Sequence, residues 1–570
     1  MVSLSFGPLN GSVQWLRRFV VWTLAFLGCL VSSVLARRVN SKTNTETVWA
    51  NSVHGAVASA TALLVAYWMA TPTKKEGRTC YPPVNKDKRL IWRDEGGVSK
   101  LVPLHPKCAE DAANLKAYTM AEVAKRSTPD EAWIIIDERV YNITNFISKH
   151  PGGELVLLNM AGKDCTDAFA NYHSASVYTK WLPAYLIGQV TDVPVYPHVE
   201  DFRNIRQELL RRGLFETNMN YYYKMFAWYG ALFITSLYLT LRCQSTMAHI
   251  VGAMTMGLFW QQVAGLGHDL GHSSVSHNFQ FDNLVGSTFG CLVMGISTGW
   301  WKRSHNTHHV VCNSIENDPD IQHMPVLAVT PEITKKPFWS SYHEKVVSMD
   351  AFAQFFVGHQ HWFFFIIMAV ARFNLYAQSW ILLATVALKP KNAVVMHFYY
   401  HELVCLSLFA LWLTAVVCSL PSWGESIGWV LVSHMFTCLL HLQIVISHFS
   451  METYHGNAYN DASDEWYKMQ IKTSMNVSCP EWMDWFHIGL QFQIEHHLYP
   501  TLPRHNLRIA KYMVMEVCRK HGIPYEEQTF LQGVVKTFMC LRETALETRK
   551  GKFDFKTSTR QVRDLLNANG

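Results

Sequence analysis

Three short histidine clusters, separated by long stretches of chain, constrain the fold more than any other feature. Each uses spacings of three or four residues, which place side chains on one face of a helix. Imidazole is an ordinary ligand of iron, copper and zinc, whereas a structural zinc ion takes only about four ligands. Histidine is abundant, with 27 residues, but chance spacing would account for one cluster rather than three. The clusters therefore predict a two-metal centre, with candidate ligands His268 and His272 in HDLGH, His305, His308 and His309 in HNTHH, and Gln493, His496 and His497 in QIEHH.

The composition favours a mostly α-helical membrane protein over a string of soluble domains. Charged residues make up 16% of the 570 residues, against roughly 25% in a soluble domain. The net charge of +6 comes from dispersed lysine and arginine, which argues against nucleic acid as a partner. The 13 cysteines contain no CxxC pair. They are typical of buried thiols in a reducing compartment or a membrane.

Four apolar segments predict membrane spans, at about 225–241, 247–266, 403–420 and 427–447. Residues 352–388 are apolar and aromatic but interrupted by polar side chains, which favours a helix lying in the membrane interface. Two spans precede the first two clusters and two more precede the third. All three clusters then lie on one side of the membrane, and the nearby basic residues of WWKR and LPRHNLR indicate the cytosolic side.

The ends of the chain add further segments. Residues 1–75 form a hydrophobic extension with apolar runs at 19–36 and 55–71. These runs predict either a cleaved signal peptide or a hairpin of two short spans, and the basic residues outside the pair favour the hairpin. Residues 76–115 are polar and predicted to be an irregular linker, and 541–570 a polar tail.

Residues 116–193 have the character of a small soluble α+β domain. AWIIIDERVYNITNF predicts short strands, and HPGG makes a tight turn that presents His150, followed 23 residues later by His173. This pattern resembles cytochrome b5, which implies a b-type haem held between the two histidines. With both axial positions filled, such a haem transfers electrons and does not bind oxygen. A connector at 194–224 would lead into a membrane domain at 225–540.

HDxxH, HxxHH and QxxHH behind a cytochrome b5-like domain resemble the front-end lipid desaturases. The resemblance implies an oxidoreductase with the four-span histidine-box fold and two iron ions held by the three clusters. Haem b, O2 and electrons from NAD(P)H through cytochrome b5 reductase complete the expected cofactors and partners. No side chain beyond the metal centre is needed for catalysis. His448 and His487 are possible further ligands. Asp269 could orient a ligand histidine by a hydrogen bond, or it could equally be a helix-capping residue.

The substrate is a lipid within the membrane, and the enzyme is expected in the endoplasmic reticulum with the haem domain and clusters cytosolic. GISTGWWKRSHNTHHVVCNSIENDPDIQHMPVLAV and MNVSCPEWMDWFHIGLQFQIEHHLYPTLPRHNL resemble delta-8 sphingolipid desaturases, which favours desaturation of the sphingoid base of ceramide. Desaturation of polyunsaturated fatty acyl lipids at a delta-6, delta-5 or delta-4 position is the first alternative. A sphingolipid hydroxylase is the second, and a non-catalytic haem anchor is the alternative from another class.

Overall fold

The computed structural model describes residues 90–94, 99–103, 115–194, 196–388, 398–459 and 465–550. Both predicted N-terminal apolar runs, and the tail from residue 551, lie outside these ranges. Within the described ranges, a small α+β domain leads through a connecting helix into a large helical domain. This arrangement agrees with the predicted class of a mostly α-helical chain with a cytochrome b5-like domain.

The small domain is built on a five-stranded sheet. Strands β5 Glu131–Ile136 and β6 Arg139–Asn142 form a hairpin. Its turn residues, Asp137 and Glu138, both have positive φ, as a two-residue type I′ turn requires. The isoleucines of EAWIII are buried on β5, where β-branched side chains pack well. The strand order is β3-β7-β6-β5-β4, with β3 Ala117–Tyr118, β4 Ser127–Thr128, β5 Glu131–Ile136, β6 Arg139–Asn142 and β7 Leu186–Val190.

Four short helices complete the small domain and surround the two predicted haem ligands. His150 follows a 3₁₀ turn at Thr144–Lys149, and His173 ends the third helix, where its backbone N–H donates to the carbonyl of Phe169. The helices are α1 Met120–Ala124, α2 Glu154–Met160, α3 Thr166–Tyr172 and α4 Ala175–Lys180.

An additional hairpin lies in the segment predicted to be irregular. Strands β1 Leu90–Asp94 and β2 Ser99–Pro103 pair antiparallel. Arg93 is buried against the small domain, with its guanidinium 3.0 Å from Asp137 and 3.3 Å above the ring of Tyr178. The apolar residues of each five-residue strand are adjacent, LIW in one and LV in the other, and do not alternate with polar ones, so the prediction of irregular structure was wrong for these residues.

Helix α5 Pro197–Arg211 forms the connection between the two domains. Its proline occupies the first helical turn, where the missing N–H is not needed. One face of the helix buries Phe202, Leu209 and Leu210. From the same helix Arg203 makes two 2.8 Å hydrogen bonds to the carboxylate of Asp167 in the small domain. The connector is therefore packed onto both domains.

Among the described residues, three helices are long and apolar enough to cross a membrane: Gln360–Leu388, Tyr399–Cys418 and Trp423–Val445. The last two contain most of the predicted spans 403–420 and 427–447. The first covers most of the segment predicted to lie in the interface. Its polar residues His361 and Arg372 are buried against neighbouring helices, which the sequence did not reveal.

The predicted spans 225–241 and 247–266 lie in two antiparallel helices that are not among these three, so the four-span count stays a prediction. The helices of this part are α6 Met219–Leu241, α7 Thr246–Gly271, α8 Phe279–Ser287, α9 Thr298–Val311, α10 Glu332–Lys335, α11 Ala351–Gly358, α12 Gln360–Leu388, α13 Tyr399–Cys418, α14 Trp423–Phe436 and α15 Cys438–Val445.

The part of the chain after the last long apolar helix contains the third histidine cluster. Its helices are α16 Trp466–Lys472, α17 Asp484–His487, α18 Gln493–Leu498, α19 Leu507–His521 and α20 Phe530–Arg549. Short strand pairs lie beside them, with β8 Phe338–Ser340 antiparallel to β9 Lys345–Val347, and β10 Asn476–Ser478 parallel to β11 Glu527–Thr529.

The start of α9, which contains the second cluster, is fixed by several local features. A π-helix at Thr288–Met294 ends at Gly295 with φ +75°, and a Cβ there would lie 2.3 Å from the ring of Phe409. Ser297 then caps α9 by accepting a hydrogen bond from the N–H of Trp300. The Ser297 hydroxyl donates to Glu402 at 2.5 Å. These contacts fix the start of α9 and thereby the position of the second histidine cluster on it.

Candidate metal centre and haem site

Five histidines from three helices form the first of two ligand groups. One nitrogen from each of the five lies within 4.8 Å of the others. The end of α7, the middle of α9 and the helix α18 all contribute, so the three distant clusters converge as predicted. The group contains His268, His272, His305, His309 and His496.

The second group contains His308, Cys312, His448 and His497, whose ligand atoms also lie within 4.8 Å of one another. Gln493 borders this group, because its Nε2 lies 3.0 Å from the Nε2 of His448. His448 follows the last long helix, at the place the sequence suggested. Cys312 was not among the residues predicted from the sequence, although it lies one helical turn after His308.

His487 belongs to neither group. Its Nδ1 lies 3.3 Å from the side-chain amide of Gln443 on α15, and Phe530 packs 5.9 Å from its ring. The ring is buried behind the third cluster. Of the two possible further ligands, the structure therefore brings only His448 to the other candidates.

The two groups adjoin each other. The rings of His309 and His497, one from each group, stack with centroids 4.2 Å apart. The rings of His305 and His308, also from different groups, lie 5.7 Å apart. Neighbouring ligand groups of this kind are the arrangement that a two-metal centre needs.

Several features of the donor atoms fit metal ions. Within the described chain, the buried Nε2 atoms of His268, His272 and His497 have no hydrogen-bond partner, a costly state for a buried polar atom. The Nε2 of His309 lies 3.0 Å from those of His305 and His496. Burial lowers the pKa of His309 well below its usual range, which favours the neutral imidazole that binds a metal.

Hydrogen bonds to the opposite ring nitrogen orient the second group. The Nδ1–H of His308 donates to Asp318 at 2.9 Å, that of His497 to Oε1 of Gln470 at 2.8 Å, and that of His448 to the carbonyl of Thr473 at 3.0 Å. Such partners leave Nε2 for the metal and raise ligand basicity. These partners were not predicted from the sequence, in which the one local signal is the NDPD run after HNTHH.

Asp269 has a different role from the one predicted. Its carboxylate lies 2.7 Å from the guanidinium of Arg504 and accepts a 2.8 Å hydrogen bond from the hydroxyl of Tyr222. The predicted hydrogen bond to a ligand histidine was therefore wrong. Since Arg504 follows the third cluster by seven residues, this buried pair joins the first cluster's helix to the third cluster's segment.

The side chains of the two predicted haem ligands lie close to each other within the small domain. The rings of His150 and His173 have centroids 6.1 Å apart. Their Nδ1–H groups donate to the carbonyls of Gly153 at 2.9 Å and Phe169 at 3.1 Å. Each Nε2 is therefore left for a metal. A Cβ on Gly152 would lie 2.8 Å from the ring of His150, so only glycine fits there.

Apolar walls accompany this pair of rings, as a haem site requires. Phe169 stacks on His173 with centroids 4.0 Å apart, and Phe146 lies edge-on to His150 at 5.9 Å. Burial, together with the neighbouring His150, lowers the pKa of His173 to about 4. A neutral imidazole is the form that binds haem iron.

A small pocket adjoins the first ligand group. Its free space is about 10 Å³, roughly the room that one water molecule needs. His268, His272 and His496 line it together with Leu490 and Leu502. A small molecule therefore has room beside the candidate metal ligands.

Comparison with known proteins covers both domains. Residues 245–529 match the family described as fatty acid desaturase, and residues 119–191 match the cytochrome b5-like haem/steroid binding domain.

Three relatives illustrate the likeness. An acyl-lipid (9-3)-desaturase of Borago officinalis is 37% identical over 77% of this chain and 96% of its own length. A delta(8)-fatty-acid desaturase of Arabidopsis thaliana is 34% identical over 77% of this chain and 95% of its own. A delta 8-(E)-sphingolipid desaturase of Kluyveromyces lactis is 39% identical over 58% of this chain and 57% of its own.

These matches confirm the resemblance found in the sequence, and they confirm an oxidoreductase rather than a non-catalytic haem anchor. The chain belongs to the fatty acid desaturase family, with a cytochrome b5-like haem domain in the same polypeptide.

Proposed function

We propose that this protein is a front-end desaturase that forms the delta-8 double bond in the sphingoid base of ceramide. The observation on which the proposal depends is the pair of adjoining histidine groups beside a haem-binding domain in one chain. When bound, the haem would supply single electrons and a pair of iron ions would activate O2 for removal of two hydrogens.

The residues have distinct parts in this scheme. His150 and His173 would hold the haem, and the two histidine groups would each hold one iron ion, with Gln493 as a ligand or as the partner of His448. Asp318 and Gln470 hold the rings of the second group in the ligating orientation. No general base is needed among them, because the iron pair would supply the oxidation when bound.

The substrate in this proposal is a long hydrocarbon chain, and the depth to which it enters would select which bond reaches the metals. A polar head held at the membrane surface fixes the distance to that bond, so the position is counted from the head group. Relatives named as delta-8 desaturases of plants and fungi support the delta-8 position. The similarity to the acyl-lipid (9-3)-desaturase of Borago officinalis makes an acyl-lipid chain the second candidate substrate.

We place the enzyme in the endoplasmic reticulum membrane, with the haem domain and the histidine groups on the cytosolic side. There it would receive electrons from NAD(P)H through cytochrome b5 reductase. The three long apolar helices support a membrane location, and the basic residues near the clusters support the cytosolic side.

Expression in yeast, followed by mass spectrometry of long-chain bases and fatty acids, tests the proposal. The expected product is a long-chain base lighter by two hydrogens, with the new bond at the eighth carbon. A base heavier by one oxygen would indicate a hydroxylase, and new unsaturation confined to fatty acids would overturn the sphingolipid substrate. His308→Ala should abolish the product, whereas His455→Ala, at an exposed histidine, is the matched control and should retain it.

A further inference from the structure

Tyr172 connects the haem domain to the candidate metal centre. It directly precedes the haem ligand His173, and its ring points away from the haem domain. The ring meets that of His309 edge-on, with centroids 6.3 Å apart, and meets Trp466 at 6.4 Å. One aromatic side chain thus lies next to a candidate ligand of each centre.

The hydroxyl of Tyr172 does not explain this position. It is buried and makes no hydrogen bond within the described residues. A buried tyrosine normally finds a partner for its hydroxyl, and phenylalanine would avoid the cost of burying that group. The ring is therefore the part of the side chain that matters for the contact.

Specific contacts on both sides of Tyr172 fix the haem domain against the membrane domain. Asn306, in the second histidine cluster, donates a 3.2 Å hydrogen bond to the carbonyl of Gly152 beside the haem ligand His150. Thr501, just after the third cluster, donates at 3.1 Å to the carbonyl of Asn171. The membrane domain is thus held at both haem-ligand loops.

The partner of Tyr172 in the metal centre is also held from another side. Gln470 donates a 2.9 Å hydrogen bond to the carbonyl of His309 and accepts one from the ring of His497 at 2.8 Å. The ring of His497, which Gln470 holds, stacks on the ring of His309 with centroids 4.2 Å apart and so supports the position of His309 beside Tyr172. The contact joins two ordered sites, as efficient electron transfer between them requires.

We propose that Tyr172 is a positioning residue whose ring couples the haem site to the metal centre through His173 and His309. The inference depends on the proposed function and deepens it by naming the contact. In each transfer one electron is lost on the haem side and one is gained at the metal centre, with an NAD(P)H-dependent reductase as the source. No bond or proton changes at the tyrosine, which is not itself oxidised.

The test uses the full-length holoprotein in detergent micelles. The haem is first reduced anaerobically with NADH and cytochrome b5 reductase. The protein is then mixed with O2 and ceramide containing a saturated long-chain base, and the rate of haem reoxidation is followed by absorbance. Tyr172→Leu should slow this rate severalfold, whereas Tyr172→Phe, which keeps the ring, should reoxidise at the wild-type rate.

Controls separate coupling from folding. The haem midpoint potential, the haem content and the iron content should be unchanged in both Tyr172 variants. Tyr118→Leu removes another haem-domain tyrosine, packed on Trp133 with centroids 5.1 Å apart, and should leave the reoxidation rate unchanged. Asn306→Ala provides a second variant, which should also slow reoxidation by loosening the docking at Gly152.

The outcomes distinguish this inference from the proposed function. Wild-type protein that shows no ceramide- and O2-dependent reoxidation would contradict the proposed function itself. Wild-type protein that does show it, together with an equal rate in Tyr172→Leu, would overturn the coupling role. A Phe variant as slow as the Leu variant would also overturn it, because the hydroxyl would then be the important group.

Discussion

Replacing Asp318 with asparagine should weaken the second metal site without changing its shape. The carboxylate is buried and accepts from three donors: Nδ1 of His308 at 2.9 Å, the backbone N–H of Asn313 at 2.6 Å and that of Asp320 at 2.9 Å. These donors approach both oxygens. An amide placed here must therefore point its NH2 group at one of the backbone N–H groups.

The size of the effect follows from these contacts. One buried N–H loses its acceptor, which costs about 1–3 kcal/mol, and His308 loses a charge-assisted hydrogen bond that fixes its ring. Changes to the partners of metal-binding histidines lower metal affinity or activity by roughly 10–100-fold. We therefore expect Asp318→Asn to retain full haem, to lose iron during dialysis against a chelator, and to form product about 10–100-fold more slowly.

Iron analysis of dialysed protein and product formation from ceramide provide the assay. Asp320→Asn is the matched control, because that carboxylate lies 3.8 Å from His305 and 3.9 Å from His308 and is about one-third exposed. It should have a much smaller effect. Wild-type iron retention and turnover in Asp318→Asn would refute the reasoning that this carboxylate fixes a metal ligand.

Three further predictions concern other contacts. His173→Ala should remove the haem absorbance while the iron of the histidine groups remains, as optical spectra and iron analysis would show; loss of both would contradict separate sites. Gly152→Ala, whose Cβ would lie 2.8 Å from the ring of His150, should lower haem occupancy, and full occupancy would contradict the close fit. Arg504→Met should destabilise the fold by about 3–5 kcal/mol by leaving the buried charge of Asp269 unpaired. Thermal unfolding should show part of that loss restored in the double variant with Asp269→Asn, and equal unfolding of Arg504→Met and wild type would argue against the pair.

The sequence predicted those features of the site that depend on local spacing. HPGG with the following His173 marked the haem ligands, and the three- and four-residue spacings marked the ligands of the metal centre. His448 was predicted from the resemblance to the lipid desaturases, because it stands at the end of the last predicted span. In each case a single short stretch of chain contains the information.

The features that were missed depend on contacts between distant segments. Gln470 reaches His497 across 27 positions, and Arg504 lies 235 positions after its partner Asp269. Spacing along the chain does not predict such pairs. The polar residues of α12 predicted an interfacial helix. Arg372 is buried between neighbouring helices, and hydropathy along the chain does not report such a tertiary contact.

The number of metal ions in the purified full-length protein tests the central claim most directly. We predict about three iron atoms per chain, one in the haem and two in the adjoining histidine groups. Changing His308 and His497 together to alanine should remove the iron of the second group, leaving about two iron atoms per chain, and keep the haem spectrum intact. One iron atom per chain in active wild-type protein, all of it in haem, would contradict the two-metal centre.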